Sequence, residues 1–157
     1  MNQQRLPRDE WRTDLNGRMA MPEAGSCEIN LQAGISGRLD PGRMGRALRH
    51  LIDNSLDAFE DTRDREKRLL VTSLIDASRC RIQIQDTGAG MTEEELAHVG
   101  EPLFSTRAFG AGLGVPIAKE TIRRHGGTVH YESDPDTGTT VTIELPLAAI
   151  GTESRIA

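Results

Sequence analysis

Cys80-Arg81-Ile82-Gln83-Ile84-Gln85-Asp86-Thr87-Gly88-Ala89-Gly90-Met91 is the stretch from which the rest of the chain can be ordered. Cys80, Ile82 and Ile84 alternate with Arg81, Gln83 and Gln85, the period-two pattern of a strand with one buried and one wetter face. Leu69 to Ile75 reads as a preceding strand, and Asp76-Ala77-Ser78 as the turn between them. The second strand runs out into a glycine-rich turn at Asp86 to Met91. Thr92 followed by Glu95 then gives a capping-box pattern for a short helix.

Upstream of the hairpin the period changes to 3.6. Met44, Leu48, Leu51, Ile52, Ser55 and Phe59 share one helical face, with Asp40 as N-cap and Pro41 in the first turn. His50, Asn54 and Asp57 form a polar stripe beside it. A charge run from Glu60 to Arg68, uncharged only at Thr62, reads as a solvated surface segment. Earlier still, Ile29 and Leu31 belong to a short strand. Residues 1–26 are polar and broken by Pro7, Pro22 and Gly25, with a faint helical signal at Trp11, Leu15 and Met19. They read as a linker or the tail of a preceding domain.

Downstream, residues 100–112 are irregular and contain Phe104, Phe109, Gly110 and Gly112. A second helix takes Pro116 in its first turn, carries Leu113, Ile117, Thr121 and His125 on one face, and stops at Gly126-Gly127. Val129 and Tyr131 mark a strand, Asp134 to Gly138 a turn, and Val141, Ile143 and Leu145 its partner, which ends at Pro146. The order β, α, β, β, short α, loop, α, β, β predicts an α+β fold. It is a two-layer α/β sandwich whose mixed, mainly antiparallel sheet carries its helices on one face. The domain is expected to span 27–147, with 148–157 as a C-terminal tail.

Composition agrees. The 157 residues are 36% hydrophobic and 27% charged, ordinary for one globular domain. Aromatics are only 3%, so the core must be aliphatic. A net charge of −5 provides no overall basic field for nucleic acid or an anionic membrane. Cys27 and Cys80 are too few for a disulfide framework and read as reduced thiols. No long apolar run is present. A soluble cytoplasmic domain is expected, compatible with a membrane-anchored full-length protein.

Three features bear on chemistry. The glycines at 110, 112 and 114 lead into a helix, whose free N–H groups suit an anion; they read as a phosphate cradle or as a flexible loop. Neither the P-loop nor the dinucleotide pattern is present. Asp86 ends a strand: as a carboxylate it only accepts hydrogen bonds, suiting an adenine amine, or it supports the turn. Asn54 offers a hard amide oxygen to Mg²⁺, or is a solvated helical residue.

Taken together and in order, these features resemble a known family. Leu51-Ile52-Asp53-Asn54-Ser55-Leu56-Asp57-Ala58 is similar to the asparagine box of the ATPases that group gyrase, a heat-shock chaperone, histidine kinases and MutL. Asp86-Thr87-Gly88-Ala89-Gly90 resembles the DxGxG box. Glu101 to Arg107, with Phe104, resembles the phenylalanine segment of sensor histidine kinases. Gly112-Leu113-Gly114-Val115-Pro116-Ile117-Ala118, followed by His125-Gly126-Gly127, resembles the GLGLxI box and its sequel. Gly138-Thr139-Thr140 resembles the closing GT box. The resemblance covers about residues 27–147 and implies the Bergerat-type ATP-binding fold of a histidine kinase catalytic domain.

It also implies roles. Asn54 would hold Mg²⁺ on the ATP phosphates, and Asp86 would receive the adenine amine in a pocket shaped by Gly88, Gly90 and Met91. Thr139 would back Asp86. Residues 100–112 would form a lid, with Arg107 reaching phosphate. Gly110, Ala111, Gly112, Leu113 and Gly114 would meet phosphate, and His50 and Asp57 would flank it. Two departures stand out: His50 occupies the place of the glutamate that polarises water in gyrase and MutL, which predicts poor hydrolysis, and Ala111 replaces a frequent threonine. Asp57 stands where some histidine kinases have a basic residue, so no γ-phosphate contact is assigned to it.

None of His50, His98, His125 and His130 has the context of a phosphoacceptor, so the acceptor is expected on a separate helical dimerisation domain. A response-regulator receiver domain would be the further partner, and the fragment alone would be monomeric. The alternatives are a stand-alone anti-sigma-type serine/threonine kinase and a non-catalytic nucleotide-sensing module.

Overall fold

The computed structural model describes residues 18–20, 25–30, 39–60, 62, 65–76, 78–104 and 112–147, the first two stretches by backbone alone. Along the chain come β1 (Arg18–Ala20), β2 (Gly25–Asn30), α1 (Pro41–Asp57), β3 (Lys67–Ile75), β4 (Arg79–Asp86), α2 (Glu93–His98), α3 (Gly114–Arg124), β5 (Thr128–Asp134) and β6 (Gly138–Pro146). The sheet order is β1-β2-β3-β4-β6-β5. Among the described strands, only β2 and β3 pair in parallel. A parallel pair needs a long crossover, and here α1 lies within it.

The alternation read in the sequence sets which side is inside. Leu69 and Val71 of β3, Cys80 and Ile84 of β4, Tyr131 of β5, and Val141, Ile143 and Leu145 of β6 are buried. They join Met44, Ala47 and Leu51 of α1 and Ala118 and Ile122 of α3 in one core. That core is aliphatic but for Phe59 and Tyr131, as the scarcity of aromatics requires. The opposite face of the sheet carries Arg79 and Arg81 paired to Glu144, and Gln83 bonded to Thr142.

α1 begins as read: Asp40 Oδ1 accepts from the Arg43 N–H at 3.0 Å. α2 has the full capping box, Thr92 and Glu95 each accepting from the other's backbone N–H. His125 ties the two longer helices together. Its Nδ1–H donates to the Thr121 carbonyl at 2.7 Å, which leaves Nε2 to accept the Asp40 N–H at 3.1 Å.

Two expectations change and one is completed. Met19 lies in a strand, not a helix, because Arg18–Ala20 pairs with Ser26–Glu28 and sheet hydrogen bonds outweigh a weak 3.6 period. The sheet thus reaches back into the stretch read as linker; Trp11, Leu15 and Leu31 lie outside the described residues. The sequence left open which side of α3 the stripe of Leu113, Ile117, Thr121 and His125 forms. Leu113 and Ile117 are exposed while Ala118 and Ile122 are buried, since a period identifies a stripe but not its neighbour. The charge run is more than a solvated segment. Lys67 and Arg68 open β3, Thr62 is buried, and Thr87 Oγ1 donates to the Glu66 carbonyl while accepting the Arg68 N–H.

Candidate functional site

Asp86 ends β4 opposite Thr139 of β6 and is 7% exposed. Its Oδ1 accepts the Gly88 N–H at 2.9 Å and the Thr139 N–H at 3.2 Å. Burial pushes its carboxyl above the ordinary aspartate range, while the Gly88 N–H, the Ser55 hydroxyl and the Thr139 N–H pull it back. The result is a carboxylate fixed in orientation by three donors.

The loop after Asp86 is clamped from two sides. Beneath it sits the end of α1: a Cβ on Gly88 would lie 2.5 Å from the Ala58 Cβ, and the Ala89 N–H donates to the Ala58 carbonyl at 3.1 Å. On the other side, the β5–β6 turn closes over it. Ser133 Oγ accepts the Met91 N–H at 2.9 Å, donates to the Gly138 carbonyl at 2.9 Å, and lies 2.8 Å from Thr139 Oγ1, which then donates to it. The Asp136 N–H donates to Ala89 O at 2.7 Å. Gly138, at φ +122°, has its Cα against the Asp86 carbonyl, where no side chain fits. Asp86, Gly88, Gly90, Met91 and Thr139 therefore form one unit.

α1 carries this unit toward the glycines before α3. Ser55 reaches Asp86; one turn back from Ala58, Asn54 is exposed; one turn earlier still, half-buried His50 meets Gly114. A Cβ on Gly114 would stand 3.3 Å from His50 Nδ1. Asp57 is half-buried on the same helix and has an interaction of its own. One helix thus touches both the Asp86 loop and the start of α3.

At the far end, α3 starts without the device the other helices use. Its N-cap residue, Leu113, makes no side-chain bond to the first turn. The leading N–H groups of an eleven-residue helix, with their partial positive charge, stay available to an anion. The base of the intervening loop is pinched: the Leu103 N–H donates to the Gly112 carbonyl at 3.2 Å, with both residues at positive φ. Arg107, Gly110 and Ala111 lie outside the described residues. No group of three or more metal-ligating His, Cys, Asp or Glu side chains occurs among the described residues.

A separate groove of about 330 Å³ lies along the outer side of α3, away from Asp86, walled by Leu113, Pro116, Ile117, Arg43 and His125 among others. Exposed Leu103 and Phe104 stand at the pinched loop base. His98 pairs with Glu101 at 3.1 Å.

Sequence reasoning missed Ser133 and Gly138 as members of the site and gave Ser55 to the apolar face. Ser133 becomes visible only through the Ser133–Thr139 register of the β5–β6 hairpin, and Ser55 only once α1 is laid against β4.

The sequence model described as "Histidine kinase-, DNA gyrase B-, and HSP90-like ATPase" matches residues 39–149. The chain is 35% identical over 108 residues to the sensor histidine kinase ZraS of Klebsiella oxytoca, covering 69% of this chain and 23% of that protein. It is 32% identical over 107 residues to sporulation kinase B of Bacillus subtilis (strain 168), covering 68% and 24%. The solved structure of a mycobacterial sensor histidine kinase, MprB, matches with a TM-score of 0.66 at 28% identity, over 78% of this chain and 82% of that one. The chain spans about a quarter of the length of the curated relatives it matches.

Proposed function

The chain belongs to the family of histidine kinase-, DNA gyrase B- and HSP90-like ATPases, and from that premise we infer that it is the ATP-binding catalytic domain of a two-component sensor histidine kinase. It binds ATP between β4 and α3 and hands the γ-phosphoryl group to a histidine on a separate helical domain. A nitrogen–phosphorus bond forms as the bond to the β,γ-bridging oxygen breaks and ADP leaves. A receiver-domain aspartate of a response regulator then takes the phosphoryl group. The observation that carries this reading is the span of α1, with Ser55 against Asp86 at one end and His50 against Gly114 at the other.

Within the cleft, Asp86 accepts the adenine exocyclic amine, and guanine, with a carbonyl there, is refused. The uncapped start of α3 receives phosphate oxygens. The donor set suits Mg²⁺, since the Asn54 amide oxygen is hard and exposed and Mg²⁺ keeps much of its water; Asn54 is the residue that would hold it. The ion's contribution is to neutralise phosphate charge. With His50 in the place of a water-polarising glutamate, the chain hydrolyses ATP slowly. The exposed apolar residues Leu103, Leu113 and Ile117 beside the loop base receive the acceptor helices. That acceptor lies on the same or a partner kinase, in the cytoplasm; no helix among the described residues is long and apolar enough to cross a membrane.

The test is to incubate the chain with radiolabelled ATP and an isolated acceptor hairpin. Acid-labile, base-stable label on the hairpin is expected. Acid-stable label would indicate a serine or threonine kinase, and nucleotide binding without any transfer would indicate a sensing module.

A further inference from the structure

The charge run before β3 supplies a side chain that reaches the Asp86 loop from outside. The Arg65 guanidinium donates through Nη1 to the Asp136 carbonyl, and its Nη2 lies 3.7 Å from the Asp136 carboxylate. Packing does not hold Asp136, whose side chain is 93% exposed. Its backbone sits at φ +60°, a left-handed conformation that a residue with a side chain adopts only at a cost. Yet the loop depends on it. The Asp136 N–H donates to the Ala89 carbonyl at 2.7 Å, and the same turn meets Gly90, where a Cβ would run into the Asp134 carbonyl.

The Ala89 N–H is taken by the Ala58 carbonyl, so both backbone groups of Ala89 are fixed, one by the end of α1 and the other by Asp136. Arg65 in turn engages the carbonyl and the carboxylate of Asp136. The contacts from Arg65 through Asp136 to Ala89 end between the two glycines that flank it beside Asp86. The segment bearing Arg65 is anchored to the same loop, since Thr87 Oγ1 bonds to the Glu66 carbonyl and the Arg68 N–H. We propose that Arg65 is a positioning residue for nucleotide binding: by holding Asp136 it places the Ala89 carbonyl and so sets the shape of the base pocket. The inference rests on the adenine-binding reading above and deepens it. A guanidinium suits the task, because its rigid fork offers separate donors to two acceptors on one residue. An exposed ion pair adds little to global stability, so the consequence of losing it falls on the loop and on binding.

The experiment uses the whole 157-residue chain. Calorimetry with ADP and Mg²⁺ compares the wild type with Arg65→Gln and Arg65→Lys. Affinity should fall about 5–10-fold in Arg65→Gln and by less in Arg65→Lys, which keeps a charged donor. With ATP and the acceptor hairpin, KM for ATP rises in Arg65→Gln while kcat at saturating ATP is unchanged. Amide exchange without ligand separates positioning from general loosening. In Arg65→Gln the Asp136 N–H should lose about 10-fold in protection, while Ile84 and Ile143, in the interior strands β4 and β6, keep theirs. Unchanged ADP affinity in Arg65→Gln, or an equal loss of protection at Ile84, overturns this proposal and leaves the nucleotide reading standing. Failure of Arg65→Gln to fold would make Arg65 a structural residue and overturns it likewise. No ADP binding by the wild type overturns both.

Discussion

Two regions joined by α1 are built differently. Around Asp86, where we propose that adenine binds, β4, the β5–β6 turn and the end of α1 are stitched together by Asp86, Ser133, Thr139 and the close approaches of Gly88 and Gly138. Before α3, where we propose that phosphate binds, a backbone bond joins Leu103 to Gly112, α3 begins uncapped, and Leu113 is 43% exposed. The contrast suits the proposed ligand. A planar base is recognised by fixed donors and acceptors, and a phosphate by backbone N–H groups left unsatisfied until it arrives.

The sharpest way to break this comparison is a matched pair of glycine substitutions. Gly138→Ala places a Cβ against the Asp86 carbonyl at a φ open only to glycine, and should lower stability by about 3 kcal/mol or more in denaturant unfolding. A wild-type midpoint would show that the region around Asp86 is looser than described. Next comes Asp86→Asn, which keeps an acceptor for Gly88 and Thr139 but turns an amide N–H toward the base. ADP affinity should fall about 100-fold, near 3 kcal/mol.

The same variant gives a pH signature. Because burial raises the Asp86 carboxyl above its unfolded value, its stabilising share is present below the unfolded pKa and is lost as pH rises through the folded one. Asp86→Asn should therefore be flatter than wild type in its pH dependence between the ordinary aspartate pKa of 3.8 and the raised folded value. A steeper dependence in the variant contradicts the assignment.

Ser133→Ala leaves the Met91 N–H without its acceptor and should cost about 1–3 kcal/mol. Gly112→Ala, the partner of the first test, brings a Cβ to 2.7 Å from the Leu103 backbone carbon and 2.8 Å from the Phe104 backbone oxygen at a left-handed φ; about 1–3 kcal/mol is expected. A loss equal to that of Gly138→Ala would erase the distinction between the two regions. Smallest in stability is Ile117→Ser, within about 0.5 kcal/mol. Its effect should appear in transfer to the acceptor hairpin, slowed at unchanged ADP affinity, and an unchanged transfer rate would remove Ile117 from the docking face.

Local signals carried the elements with strong periods or caps. Asp40 before Pro41, the Thr92–Glu95 box, the alternation at Cys80 to Ile84 and the glycines after α3 each act within a few residues, so they could be read directly. β1 escaped because three residues carry too little pattern and owe their conformation to pairing with β2. The orientation of α3 stayed open because a period fixes a stripe but not its neighbour; Ala118 and Ile122 form the buried side.

From sequence alone came the fold class, the aliphatic core and the residue types able to recognise a purine and a phosphate, because propensity, capping and hydrogen-bonding capacity belong to short segments. Tertiary structure alone decided that Ser55 and Ser133 converge on the Asp86 loop, that His50 meets Gly114, and that Leu113 and Ile117 face outward. Those facts depend on contacts between residues far apart in the chain, and such contacts are set by how sheet and helices close on one another.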